Sequence, residues 1–94
     1  MTVSHLKEVL SGYHNKWSKS YPPERQNTEN LDPRNKEKVL SHTMWMCEQA
    51  IEFANTGHIE KAMRWLGFIQ GMLYYTGHYT IDEMRAHSAS PTEP

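Results

Sequence analysis

Apolar positions recur at helical spacing along most of the chain. Val3, Leu6, Val9/Leu10, Tyr13 and Trp17 follow one another at three- and four-residue steps, which sets them on one face of a first helix. Thr2 or Ser4 can cap its start, and Gly12 weakens its middle by about 1 kcal/mol relative to alanine. Residues 18–32 (SKSYPPERQNTENLD) break the pattern: Pro22-Pro23 forbids regular helix, and the remainder offers no apolar face. The pattern predicts a second helix from Asp32, a good N-cap, with Pro33 in the first turn where its missing N–H costs nothing. Leu40, Met44, Cys47, Ile51 and Ala54 form its stripe, and Trp45, Met46, Ala50 and Phe53 widen it as far as Asn55.

Asn55-Thr56-Gly57 reads as a stop, with Gly57 able to take the left-handed conformation that ends a helix. So short a turn sends the third helix back antiparallel over about His58 to Thr76, with Ile59, Ala62/Met63, Leu66, Ile69/Gln70 and Leu73 facing inward. Trp65, Phe68, Met72 and Tyr75 flank that stripe, and Gly77 closes the helix. Thr80 and Glu83 match a capping box and open a short last helix over about 81–87. The expected fold is all-α: a short N-terminal helix, a long antiparallel two-helix hairpin and a short C-terminal helix. It forms a single domain over residues 1–87, with 88–94 as a disordered tail. The third helix is apolar around most of its circumference, and such a helix must be enclosed. A homo-oligomer built on the hairpin is therefore expected. Gly67 and Gly71, one turn apart, suit close approach of another helix or of a ligand to the backbone; accommodation of Trp45 or Trp65 inside the hairpin is the alternative.

Composition adjusts this picture in three ways. With 94 residues and a mean hydropathy of −0.80, a lone monomer is thinly cored despite its three Trp, five Tyr and six Met. The formal net charge of −1 argues against a long nucleic acid as partner. Residues 1–38, with seven basic and five acidic groups, are slightly positive and suited to at most a small anion. The lone Cys47 sits in an apolar-periodic stretch and reads as a small buried hydrophobe, at home in a reducing cytosol. No signal peptide or membrane anchor is expected: the longest run free of Asp, Glu, Lys and Arg, Trp65 to Ile81, is shorter than the roughly 20 apolar residues of a bilayer span.

Catalytic chemistry finds no motif. The six histidines never fall three or four residues apart, and no CxxC, HExxH or Glu-x-x-His pair is present, so no metal or cofactor is expected and no enzyme. Two constellations suit binding instead. Tyr13, His14, Lys16, Trp17, Lys19, Tyr21 and Arg25 interleave aromatic and basic side chains, with Thr28 following. Aromatic rings stack on bases, and Lys or Arg meets phosphate; the simpler reading makes Tyr13 and Trp17 core residues. The second constellation, Arg64, Trp65, Gln70, Tyr74, Tyr75, His78 and Tyr79, could line a pocket at the open end of the hairpin or at a subunit junction, and core or interface packing is the better explanation of it. Candidate ligand-binding residues are thus Tyr13, Lys16, Trp17, Arg25, Thr28, Arg64 and Tyr74.

The stretch from Lys61 to Arg85, with its RWLGFIQG and YTIDE segments, resembles the C-terminal part of small accessory proteins of tailed bacteriophages. More loosely, the architecture is similar to the phage anti-CBASS sponge family, short helical-hairpin proteins that oligomerise and sequester cyclic oligonucleotide immune signals without cleaving them. That resemblance implies a counter-defence protein of the bacterial host cytoplasm. It also implies a ligand held by an aromatic and a basic residue of the N-terminal third, for which Tyr13 with Lys16 or Arg25, and Thr28, are the matching candidates. The alternative is an adaptor that occupies a host protein through its aromatic and Met surface.

Overall fold

The computed structural model describes residues 1–89 and contains four helices and no strand among them. They are α1 (Val3–Trp17), α2 (Lys36–Asn55), α3 (Ile59–Tyr75) and α4 (Ile81–Ser88). The expected all-α class and order of elements hold. Thr2 caps α1, its side chain accepting from the His5 N–H. The helix runs unbroken through Gly12. Gly57 (φ 87°) and Gly77 (φ 81°) end the two hairpin helices in the left-handed region. The capping box at Thr80 and Glu83 is complete, each side chain accepting from the other residue's backbone N–H.

Two boundaries differ from expectation. The second helix starts at Lys36, not Pro33, with Asn35 as its cap. Asp32 is spent one turn earlier: its carboxylate accepts from the Arg34 N–H at 2.9 Å, and its carbonyl accepts from the Asn35 N–H. Pro33 therefore belongs to a turn that precedes the helix. At the other end α4 extends to Ser88, whose hydroxyl is held by Gln70, so residue 88, expected in a disordered tail, belongs to the helix. Residues 90–94, where most of that tail would fall, lie outside the described residues.

The α2–α3 hairpin forms the body, and α1 lies chiefly against α2. Leu6, Leu10 and Tyr13 of α1 meet Leu40, Met44, Cys47 and Ala50 of α2 and Ala62, Leu66, Ile69 and Leu73 of α3 in one core. Most of these are sealed from solvent, and each fully buried Leu or Ile contributes about 1.5–3 kcal/mol relative to leaving it exposed. Cys47 is buried and free, and burial pushes its thiol up to about 12. Met63, expected inside, is exposed; so are Phe68, Tyr74 and Tyr75. The third helix is thus not enclosed, and a strip of it faces outward. The radius of gyration, 12.9 Å, is near the roughly 12.4 Å of a compact chain this long. No helix among the described residues is long and apolar enough to cross a membrane.

The long connection between α1 and α2 is tied down rather than loose. The Glu24 N–H donates to the carbonyl of Ser41, and the Gln26 N–H to Nδ1 of His42. These two bonds lay residues 24–26 along α2 and bring the following Thr28 to α3.

Candidate functional site

The connection, α2 and α3 together frame a shelf. Its depression, about 410 Å³, is lined by Thr28, His42, Met46, Arg64, Trp65 and Phe68. A second, more apolar hollow of about 260 Å³ shares Thr28, His42 and Phe68 with it and continues to Leu31, Val39 and Met72. Arg25 and Thr28 line a third along the connection itself, together with Glu29.

An aromatic ladder supports the shelf. The His42 ring stacks on Trp45 (centroids 5.3 Å, planes 30° apart). Trp45 meets Trp65 at 6.1 Å, and Phe53 sets its edge on Trp65 at 4.9 Å. Cations cover both ends: the Arg25 guanidinium lies 5.6 Å from the Trp45 ring, and Lys61 lies 4.4 Å from that of Phe53. Helical spacing produces this arrangement. His42, Trp45 and Phe53 occur at steps of three and eight on α2, hence on one side, and Trp65 faces them from α3.

The protonation of His42 follows from its partner. Nδ1 accepts from the Gln26 N–H at 3.1 Å, so in the neutral ring the proton sits on Nε2. His42 is only 8% exposed, and its pKa is lowered by burial and by the nearby Arg25 cation, which keeps the ring neutral. Nε2–H makes no hydrogen bond among the described residues. It is a donor left without a partner on a residue that lines the same hollow as Arg64, with the Arg25 cation near enough to disfavour the charged ring, and neither arginine forms an ion pair among those residues.

A separate polar cluster joins α1, α3 and α4. Tyr13 is buried, and its hydroxyl accepts from Gln70 Nε2 at 3.0 Å and lies 2.8 Å from His87 Nδ1. Gln70 also donates to Ser88, and His5 Nε2 donates to the carbonyl of His87. That bond fixes the His5 proton on Nε2 and leaves its buried Nδ1 unpaired, 3.8 Å from Glu8. Next to it the Trp17 indole N–H donates to the Tyr79 hydroxyl at 3.0 Å. Thr76 donates to the Met72 carbonyl, so His78 Nδ1–H donates to Thr76, and His78 Nε2 is free to accept from Tyr21 at 3.3 Å. Burial raises the pKa of Tyr13 and lowers that of His78.

The seven candidate residues therefore divide. Thr28 and Arg64 line the shelf together, and Arg25 lies next to it, over Trp45 and in the hollow along the connection that Thr28 shares. Tyr13, Lys16 and Trp17 belong to the α1 cluster, where Tyr13 is core and Lys16 lies over Trp17 and Tyr79, at 5.4 and 5.7 Å. Tyr13 is 3% exposed, and with His5, Tyr79 and His87 it lines a separate hollow of about 330 Å³. Tyr74 stands half exposed on the outer side of α3, lining none of these hollows. His42, Trp45, Trp65 and Phe68 complete the shelf and were not among the candidates. Periodicity put Trp45 beside the core stripe of α2 and gave His42 no part in it, and only the hydrogen bond from Gln26, sixteen residues away, leaves His42 with its Nε2–H as the donor. No group of three or more His, Cys, Asp or Glu side chains among the described residues is placed to hold a metal ion. No protein-family model, curated protein or solved structure matches the chain.

Proposed function

We propose that the chain binds a small nucleotide-derived ligand on this shelf and holds it without chemical change, as a phage counter-defence protein that sequesters an immune signal. The observation that carries the reading is the open Nε2–H of His42 beside Arg25, Arg64 and the Thr28 hydroxyl. Donors of this kind suit phosphate oxygens, which accept charge-assisted hydrogen bonds from guanidinium groups. The exposed Phe68 ring and the half-buried Trp65 ring offer faces for a base. Capture without turnover is the reading we adopt because the groups around the hollow are hydrogen-bond donors and aromatic faces, and the neutral His42 has its Nδ1 lone pair already occupied by the Gln26 N–H.

Calorimetry of the purified chain against cyclic di- and trinucleotides and ADP-ribose derivatives tests the reading. One compound should bind and be recovered intact after the protein is denatured. Arg64→Ala or Arg25→Ala should then weaken binding about 10- to 100-fold, the effect of losing a hydrogen bond to a charged group. No binding across the panel, together with recovery of a single host protein in a pull-down, would favour the adaptor reading, which draws on the exposed Met63, Phe68, Tyr74 and Tyr75.

A further inference from the structure

The connection between α1 and α2 is held to α2 by few bonds. Among the described residues, two hydrogen bonds tie residues 22–30 to that helix: the Glu24 N–H donates to the carbonyl of Ser41, and the Gln26 N–H donates to Nδ1 of His42, each at 3.1 Å. The remaining bonds of the stretch, from the Glu29 and Asn30 N–H groups to Asn27, are internal to it. Between the two anchors the Arg25 guanidinium lies over the Trp45 ring.

The second anchor carries a chemical condition. An imidazole accepts an N–H only through an unprotonated nitrogen. Once His42 is protonated both nitrogens carry hydrogen, so turning the ring over restores no acceptor, and a Nδ1–H faces the Gln26 N–H. The added charge also arrives among cations: Arg25 from the connection, Arg64 of α3, which lines the same hollow, and Lys38 one turn earlier on α2. No carboxylate lines that hollow, and the nearby acids of the connection, Glu24 and Glu29, sit on the segment itself.

Two of the groups that oppose the proton, the Gln26 amide and the Arg25 cation, ride on the connection. Lifting it removes both at once and wets the ring. The lifted form therefore takes the proton more readily than the seated form, in which the pKa of His42 is lowered. By linkage the effect is reciprocal: a proton on His42 favours the lifted form.

We propose that residues 22–30 are a pH-sensitive strap, seated on α2 while His42 is neutral and released when a proton from solvent occupies Nδ1. Release takes Thr28 away from the shelf and from the apolar hollow beside it. The device belongs to the free chain and stands whether or not the shelf takes a nucleotide. Below about pH 6.5 the lifted form gains a proton that the seated form refuses until its own, lower pKa is passed. One proton is involved, so protection of the strap falls by at most about tenfold per pH unit.

Hydrogen exchange read amide by amide by NMR, and corrected for the intrinsic effect of pH, tests this on the wild-type chain. The Gln26 and Glu24 amides should lose protection together between about pH 7 and 5.5, within that limit. Both should exchange faster than the Met44 amide of the core at every pH, with helical circular dichroism retained, which marks release without unfolding. His42→Asn places a carbonyl oxygen near the position of Nδ1 and cannot titrate, so it should abolish the pH dependence. Should that variant not fold, His78→Gln serves instead. It removes the other imidazole that meets the connection, through Tyr21, and should leave the pH dependence as in the wild type. Protection of Gln26 that is flat with pH, or equal to that of Met44, would overturn the proposal, as would a Glu24 amide that holds while Gln26 opens. A pH dependence that survives His42→Asn or vanishes with His78→Gln would overturn it too.

Discussion

A histidine, a cysteine and three glycines show how much one residue's surroundings decide. His42 is neutral because burial and Arg25 disfavour its charged form, and its open proton points from Nε2 because the backbone of Gln26 takes Nδ1. Nothing near His42 in sequence announces this. The partner amide lies sixteen residues away, in a stretch whose Pro-Pro pair and polar content read only as loop. Cys47, by contrast, was legible from periodicity alone. With its thiol pushed up to about 12, it should react with a thiol-specific reagent only as fast as the chain unfolds, a rate that stopped-flow absorbance measures. The glycines sort by backbone. Gly12→Ala meets open space on an ordinary helix and should stabilise the chain by about 1 kcal/mol in a urea titration. Gly57→Ala and Gly77→Ala force a side chain into the left-handed region and should destabilise it by about 1 kcal/mol each.

At the scale of elements, the helices themselves were readable because each carries both a period and a punctuation mark: Thr2 before α1, Gly57 between α2 and α3, the Thr80 box before α4. The start of α2 was misread because Asp32-Pro33 suits a turn as well as a helix start, and the choice depends on Asn35 offering a cap three residues later. What sequence could not supply is how α4 is held. It buries no residue completely, and its attachment is the polar cluster of Tyr13, Gln70, His87 and Ser88 with His5 beneath. Such contacts join residues up to 82 positions apart and leave no periodic trace. Tyr13→Phe removes the hydroxyl that Gln70 and His87 share and strands two part-buried polar groups. It should cost about 1–3 kcal/mol of stability by denaturant titration. Amide exchange should quicken in α4 before it does in α2 or α3. Uniform quickening across all four helices would show that α4 is no separate unit.

For the whole molecule, the class and the hairpin followed from the sequence, but the balance of inside and outside did not. Helix periodicity assigns a stripe, and it could not tell that α3, apolar on nearly every side, turns Met63 and the Tyr74–Tyr75 pair outward. The same ambiguity left open whether Tyr13 and Trp17 pack or bind, and the structure engages both in the hydrogen bonds of the α1 junction. The titration of the whole chain follows from two imidazoles. His42 and His78 both have pKa values lowered below the ordinary 6.5, chiefly by burial. Between their folded values and about 6.5 the unfolded chain binds more protons than the folded one, so stability rises with pH across that window. Acidification from pH 7 should lower the melting temperature once the pH passes below about 6.5, and His42→Gln together with His78→Gln should flatten that slope. A slope unchanged in the double variant would trace it to other groups.

The central claim is that an open donor on His42, flanked by Arg25 and Arg64, receives a phosphate-bearing ligand. Long-range proton–nitrogen NMR of the histidine rings reads that atom directly. The account predicts a neutral His42 with its proton on Nε2 in the free chain, and a shift of that Nε2–H on titration with the nucleotide that calorimetry selects, while His87 of the α4 junction stays unmoved. A His42 protonated on Nδ1, or a saturating ligand that shifts His87 and leaves His42 untouched, would contradict it.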